Sequence, residues 1–431
     1  MTPEPATVLS MSNLAPEYVE LLRRLGEIAR TRGVGAYVVG GVVRDLLLGG
    51  DIGDVDIVVE ERAQDFVEAV TRELGGTYKH YARFGTALLL PGGGVKIDVA
   101  TARSETYAAP GALPDVEPGL ISEDLIRRDF TLNAMAASIM PDDFGRLVDL
   151  HHGREDLRNG VLRVLHESSF TDDPTRVLRA VRFQARFGFS IEPATETLLH
   201  EAAGSGALDT VSGERIMNEL TLMLAEADPR PALLRLLAWG LTAAIHPCWT
   251  PVVGEVERLL AGLGPPCAET ARTTPLLALL APVEPACRES VMDRLKAGRH
   301  LREAALDLER YRTQTAGALA SERELRRSEI HDLLHHHALE VLELATADAP
   351  LGRAAERIRL YTDELSRVRT LLSGADLLSL GYTEGLEVGR MLDALRRARL
   401  DGRVTSRDDE IALARQPRRR RPPPEGDEAG T

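Results

Sequence analysis

The hydrophobic positions change period along the chain. From Tyr18 to Gly33 apolar residues recur at helical spacing. Ala36 to Val39 is a short apolar strand, followed by Gly40-Gly41 and an apolar-periodic helix from Val42 to Leu48 that Gly49 and Gly50 end. Ile52 to Glu60 reads as a second strand and Ala63 to Leu74 as a helix. Tyr81 to Leu90 and Val95 to Thr101 read as further strands, separated by the turn Pro91-Gly-Gly-Gly94. After about Gly153 strand signals almost vanish. From Asp173 to about Arg415 nearly every segment has helical periodicity, and the proline-rich breaks near Pro247 to Pro251 and at Pro265-Pro266 mark joints. No fixed-period repeat is visible. The pattern predicts an α+β chain, with a head of mixed strands and helices followed by helices alone. The end, Pro417 to Pro424, is low in complexity and is expected to be disordered.

At 431 residues, about two to four domains are expected, with room for a sizeable core. Aromatic residues are 4% of the chain, so Leu, Val, Ile and Ala must build that core. The start of the chain has no basic stretch followed by an apolar run, and the run Leu276 to Ala281 is too short to span a bilayer. Cys248, Cys267 and Cys287 are odd in number and form no CxxC pair. They suggest neither a disulfide framework nor a zinc site, which points to the reducing cytoplasm. The net charge of −14 speaks against a protein that coats nucleic acid, so any affinity for nucleic acid must come from local arginine clusters.

Candidate chemistry begins at Gly53-Asp54-Val55-Asp56-Ile57. In a strand, Asp54 and Asp56 share a face. Such a pair suits Mg²⁺, which takes carboxylate oxygens and keeps positions for substrate phosphates. Two solvated aspartates on a strand face give the same pattern. The preceding strand, Gly40-Gly41 and helix carrying Arg44 form a phosphate-site arrangement, since glycine permits close approach and helix N-terminal N–H groups face an anion. Asp98, in the strand Lys96-Ile97-Asp98, is a possible third acid, though its spacing fits an exposed strand-end residue as well.

Gly40-Gly-Val-Val-Arg44-Asp45 followed by Gly53-Asp54-Val-Asp56 resembles the head motif of bacterial tRNA nucleotidyltransferases and the related poly(A) polymerases. Arg127-Arg128-Asp129-Phe-Thr-Leu-Asn133 is similar to their second motif. Asp172-Asp173-Pro-Thr-Arg176-Val-Leu-Arg179-Ala-Val-Arg182 is similar to their nucleotide-selecting helix. The three stand in family order, and the resemblance is clear from about Tyr37 to Leu220. It implies a polymerase-β-like nucleotidyltransferase head over 18–152, a nucleotide-selecting helical neck over 153–225, a helical body over 226–350, a tRNA-binding helical tail over 351–415 and a disordered end at 416–431.

The resemblance also implies the reaction. An RNA 3′-hydroxyl attacks the α-phosphate of ATP or CTP and releases pyrophosphate, with Asp54 and Asp56 holding two Mg²⁺ ions. Gly41, Arg44 and Arg128 place the nucleotide, while Asp129 and Asn133 orient the ribose or the motif. Asp173 and Arg176 read the base edge, and Arg179 and Arg182 lie further along the nucleotide. At about 100° per residue, Arg176, Arg179, Arg182 and Arg186 occupy one helix face, opposite the apolar arc of Val177, Leu178, Val181 and Ala185. That geometry predicts a guanidinium stripe on the side away from the packing face. A plain N-cap by Asp173 with Pro174 at the first helical position is the simpler local reading. The family pattern often has Glu-Asp where this chain has Asp172-Asp173, so the first acid's role does not carry over.

The tRNA 3′ end is the expected partner, gripped by Arg390, Arg396, Arg397, Arg399 and Arg403; a solvated arginine face is the alternative. Arg418 to Arg421 is at most a disordered contact. The motifs do not separate synthesis of CCA from addition of CC or of A alone, or from poly(A) synthesis. Ala102 to Pro114 has the form found in A-adding members. A non-catalytic RNA-binding relative is the other class, and retention of both Asp54 and Asp56 argues against it. His335-His336-His337, with His331-Asp332 upstream, suggests a metal or a phosphohydrolase motif, but consecutive histidines point different ways on a helix and no partner set is evident.

Overall fold

The computed structural model describes residues 7–50, 55–81, 85–92, 95–109, 111–264 and 268–416. The chain forms two compact units, Met1–Val253 with Ala286–Ala297, and Gly254–Pro285 with Gly298–Thr431.

The first unit opens with α1 (Pro16–Arg32), β1 (Ala36–Val39), α2 (Gly41–Leu48), β2 (Val55–Val59) and α3 (Ala63–Leu74). β3 (Thr77–Tyr81), β4 (Thr86–Gly92) and β5 (Val95–Thr101) follow, then a separate two-stranded ladder of β6 (Arg103–Thr106) and β7 (Asp115–Pro118). α4 (Ile121–Ile126), β8 (Met135–Ser138) and β9 (Leu147–Asp149) complete the head. The main sheet has seven strands in the order β3-β4-β5-β2-β1-β8-β9, and its β2–β5 pair is parallel. Strand alternation decides which side of β2 and β5 is packed: Val55 and Ile57, like Ile97 and Val99, are buried, while Asp56 and Asp98 are exposed. α3 buries Phe66, Val67 and Val70.

Helices then take over: α5 (Gly153–Asn159), α6 (Ser169–Asp172), α7 (Thr175–Phe187), α8 (Pro193–Gly204) and α9 (Gly213–Leu224). The helix Arg230–Ala238 packs on α7, so the segment boundary expected at 225 lies inside the first unit. The chain crosses to the second unit after Val253, just beyond the Pro247 to Pro251 break. Of the expected features, Asp51 to Asp54, Gly93-Gly94, Pro265-Pro266, Cys267 and everything after Gln416 lie outside the described residues.

The cysteine reading is corrected. Cys248 and Cys287 form a disulfide, with their Cα atoms 5.9 Å apart. Spacing could not reveal it, because 39 positions separate the two in sequence. The chain passes through the second unit between them and returns in the helix Pro285–Arg294. Cysteine spacing therefore does not argue for a reducing compartment here. Among the described residues no helix is long and apolar enough to cross a membrane.

The second unit is helical throughout its described residues. Near its end Leu372, Leu377, Tyr382, Leu395 and Ala414 form a small core. The fully buried Glu410 accepts the backbone N–H groups of Leu371 and Leu372 and pairs with Arg399.

Candidate active site

Parallel pairing sets Asp56 directly opposite Asp98 on neighbouring strands, and both side chains lie on the exposed face. Two carboxylates at this spacing match the oxygen donors a hard divalent cation takes. Asp54 lies outside the described residues.

α2 begins where β1 ends. Gly40 has φ 65° and ψ −122°, a conformation L side chains avoid, and a Cβ there would stand 2.7 Å from Nη1 of Arg128. At Gly41 a Cβ would make ordinary contact, 3.5 Å from Arg44. Gly40→Ala is therefore expected to cost about 1–3 kcal/mol of stability, and Gly41→Ala little, as urea unfolding of the two variants will show.

Arg44 departs from the expected role. It is 5% exposed, pairs twice with Asp45 and donates to Oδ1 of Asn133 at 2.7 Å. Its guanidinium also lies 4.9 Å from the Phe187 ring centroid. Asn133 donates in turn to Oδ1 of Asp129 at 3.0 Å, and Oδ2 of Asp129 accepts two bonds from Arg179. Glu219 of α9 closes the chain, near both Arg179 and Arg182. α2, the segment 127–133 and α7 thus share one polar network.

Burial alone would raise the Asp129 carboxyl, but Arg179 and Asn133 hold it below its ordinary range. The same pairing pushes Arg179 above its usual value, against a smaller opposing effect of burial. For Arg182 burial dominates and lowers it, with Glu219 opposing.

The arginine face of α7 is not an open stripe. Arg176 and Arg182 are 4% and 8% exposed. The helix is packed on this side too, against Asp129, Glu219 and Glu226. A helical wheel shows which residues share a face, but not what covers that face. Arg176 donates to the Ser169 hydroxyl at 2.7 Å and to the Arg127 carbonyl at 2.6 Å, so both Nη atoms are engaged by the protein. α7 starts at Thr175, and Asp173 caps it from two residues upstream. Oδ1 of Asp173 takes the N–H and hydroxyl of Thr175 and the guanidinium of Arg215 at 2.7 Å. Oδ2 accepts no hydrogen bond among the described residues. Asp172 lies at the end of α6, 4.0 Å from His166.

Arg128 is anchored by Asp124, which also binds Arg127. Asp124 is fully buried, yet Arg128 and Arg127 hold its carboxyl below the ordinary 3.8 despite the opposing burial. The sequence reading missed Asp124, although its i,i+3 and i,i+4 spacing to the two arginines was the available signal. Arg215 and Glu219 were missed too, since both come from α9, which carries no motif; Asp45 stood in the head motif without an assigned role.

Depressed carboxyls contribute stability that is complete above their ordinary pKa and is lost as pH falls through the folded-state value. The urea midpoint is therefore expected to drop steeply below about pH 4, and Asp124→Asn, already destabilised at neutral pH, is expected to show a shallower drop.

In the tail, Arg390 is exposed, Arg396 pairs with Asp393, Arg397 with Asp332 and Arg403 with Asp401. Arg399 is drawn inward by Glu410.

A family profile described as the poly A polymerase head domain matches residues 36–163, and one described as a probable RNA and SrmB-binding site of polymerase A matches 188–252. The A-adding tRNA nucleotidyltransferase of Geobacter sulfurreducens is 37% identical over 413 residues, 92% of this chain and 46% of the relative. The CC-adding enzyme of the same organism is 37% identical over 223 residues, 51% of this chain and 47% of the relative. The solved Thermotoga maritima CCA-adding enzyme in complex with tRNA superposes with a TM-score of 0.78 at 31% identity, covering 95% of this chain and 98% of that one. The chain belongs to the tRNA nucleotidyltransferase and poly(A) polymerase family. Its mixed-sheet head and helical remainder are that family's fold. It spans about half the length of these two curated relatives.

Proposed function

We propose that this family member is a tRNA nucleotidyltransferase whose main product is the terminal A of the 3′ end. The observation that carries the chemistry is the Asp56–Asp98 register on the exposed face of the head sheet. The preference for A rests on alignment span: the A-adding relative matches along 92% of the chain, the CC-adding one along 51%. Solved relatives in complex with ATP and with CTP support a nucleoside triphosphate as donor.

In the reaction the RNA 3′-oxygen forms a bond to the α-phosphorus as the bond to pyrophosphate breaks, and the hydroxyl proton passes to solvent. Asp56, Asp98 and Asp54 would hold Mg²⁺. When bound, that ion supplies charge neutralisation on the phosphates and a Lewis acid at the reacting oxygens. The glycines at the start of α2 let a triphosphate approach backbone N–H groups. Oδ2 of Asp173, held in place by Arg215 and Thr175 through Oδ1, is the acceptor we assign to the exocyclic amino group of the base. In the bound state Arg176 would have to exchange a protein partner for the base, whereas Arg179 and Arg182 act from where they stand, by fixing Asp129 and Glu219. Of the five segments expected from the sequence, we keep the head and neck as the catalytic and selecting parts. The tail is the tRNA-binding part, with the exposed Arg390 as one candidate contact and Arg396, Arg397 and Arg403 as others. The compartment we propose is the cytoplasm, on the tRNA-directed activity named for its relatives and not on cysteine spacing.

The decisive assay offers transcripts lacking CCA, ending in CC, or complete, together with an unstructured RNA, and labelled ATP or CTP. A single A added to the transcript ending in CC is the expected result. CMP incorporation would make this a CC- or CCA-adding enzyme. Long A tails on the unstructured RNA would establish the poly(A) polymerase reading, which the head-domain profile also accommodates.

A further inference from the structure

The helix Arg327–Leu334 and its C-cap His335 carry a cluster unrelated to the head. His331, Asp332 and His335 each offer one ligand atom, and the three atoms lie within 4.8 Å of one another. The spacing i, i+1, i+4 does not by itself bring them together. In the structure the His331 and His335 rings stack at 5.1 Å, nearly parallel, and Asp332 turns towards His331.

Two further observations point to a ligand. His331 is 4% exposed, and its buried Nδ1 has no hydrogen-bond partner. That nitrogen faces Oδ1 of Asp332 across 3.9 Å, too long for a hydrogen bond. Opposed ligands on one metal ion stand up to about 4 Å apart, and tetrahedral ones about 3.3 Å. The gap is thus the size a metal bridges, and all three ligand atoms lie within 4.8 Å; the two nearly parallel rings must turn relative to each other for both lone pairs to meet one ion, and the exposed His335 is the ring placed to turn. Second, Nδ1 of His335 lies 3.2 Å from the carbonyl oxygen of His331. A proton on Nδ1 to satisfy that carbonyl leaves the lone pair on Nε2, which is how ligating histidines are usually oriented. Asp332 is oriented too: its Oδ2 lies 2.9 Å from Nε of Arg397, so Oδ1 is the oxygen turned to the cluster.

We propose that His331, Asp332 and His335 form a binding site for a divalent transition-metal ion of the zinc class, with water in the remaining position. Two imidazoles and one carboxylate select such ions over Mg²⁺ and Ca²⁺, which take oxygen ligands. Arg397, paired with Asp332, and the nearby Arg396 oppose a bound cation, so the two nitrogen ligands must carry the affinity. His337 belongs elsewhere: its Nδ1 contacts Asp307 and its Nε2 contacts Thr315, both at 2.9 Å, so it is a core residue. Bound metal would lock the C-terminal end of this helix and stabilise the second unit by linkage.

The test titrates Co²⁺ into the tag-free, full-length protein in excess Mg²⁺, which occupies the carboxylates of the head. One equivalent is expected to develop the intense visible bands of tetrahedral, nitrogen-ligated cobalt, and Zn²⁺ to abolish them. Because His335 is exposed, His335→Gln is expected to fold normally and to weaken binding at least tenfold. Asp332→Asn is expected to weaken it as well, and His336→Gln to leave it unchanged. Absence of saturable bands, their survival in His335→Gln, or their loss in Asp56→Asn would overturn the proposal.

Discussion

Asp129→Ala is expected to destabilise the first unit by about 3 kcal/mol, because it leaves the guanidinium of Arg179 without its principal partner. The figure sits at the lower end for breaking a buried pair. Arg179 keeps 31% of its side chain exposed, and Glu219 remains nearby. The loss should not be confined to one pair. Asn133 would lose an acceptor for its amide, and Arg44 would then lean on an unsupported Asn133. The measurement is a double-mutant cycle by urea unfolding over Asp129→Ala, Arg179→Ala and the double variant. A coupling energy above about 1.5 kcal/mol is expected for groups in one network. A coupling near zero would mean that the two residues act independently and that no network links the second motif to α7.

Asp56→Asn is expected to do the reverse, ending nucleotide addition while sparing the fold. Asp56 is exposed and packs no core, so the melting temperature should stay close to that of the parent. On the proposal that Asp56 helps hold the catalytic cation, its loss removes several kcal/mol of transition-state stabilisation, so addition to a tRNA ending in CC should fall by about 10³-fold or more. Asp98→Asn should follow in the same direction if its place opposite Asp56 makes it a ligand. Full activity in Asp56→Asn with unchanged stability would remove this face of the sheet from the chemistry.

How much of this was legible beforehand depended on whether the signal was local. A short apolar run located β1, strand patterning located β2 and β5, and helical periodicity located α1, α2 and α3, within a few residues. β3, Thr77–Tyr81, was missed: its residues are polar or aromatic and none is buried. The β6–β7 ladder was missed because β7 is exposed throughout. Asp98 illustrates the limit at the site. Its spacing fitted a strand-end residue, and only the pairing of β5 beside β2 brings it level with Asp56. Arg44 and Arg176 were recognised as motif members, but their partners, Asn133 and the Arg127 carbonyl, come from distant parts of the chain. A one-dimensional pattern cannot show that a guanidinium already has its hydrogen bonds.

The excursion of the chain into the second unit sets an order of synthesis. The first unit is not complete when residue 253 leaves the ribosome, because it needs residues 286–297 as well. Arg294 in that returning segment caps the carbonyls of Leu208 and Val211, and its own backbone lies directly against Gly213 at the start of α9. α9 supplies Glu219 and Arg215 to the polar network around α7, so the nascent head can fold its sheet while that network still waits for a segment translated later.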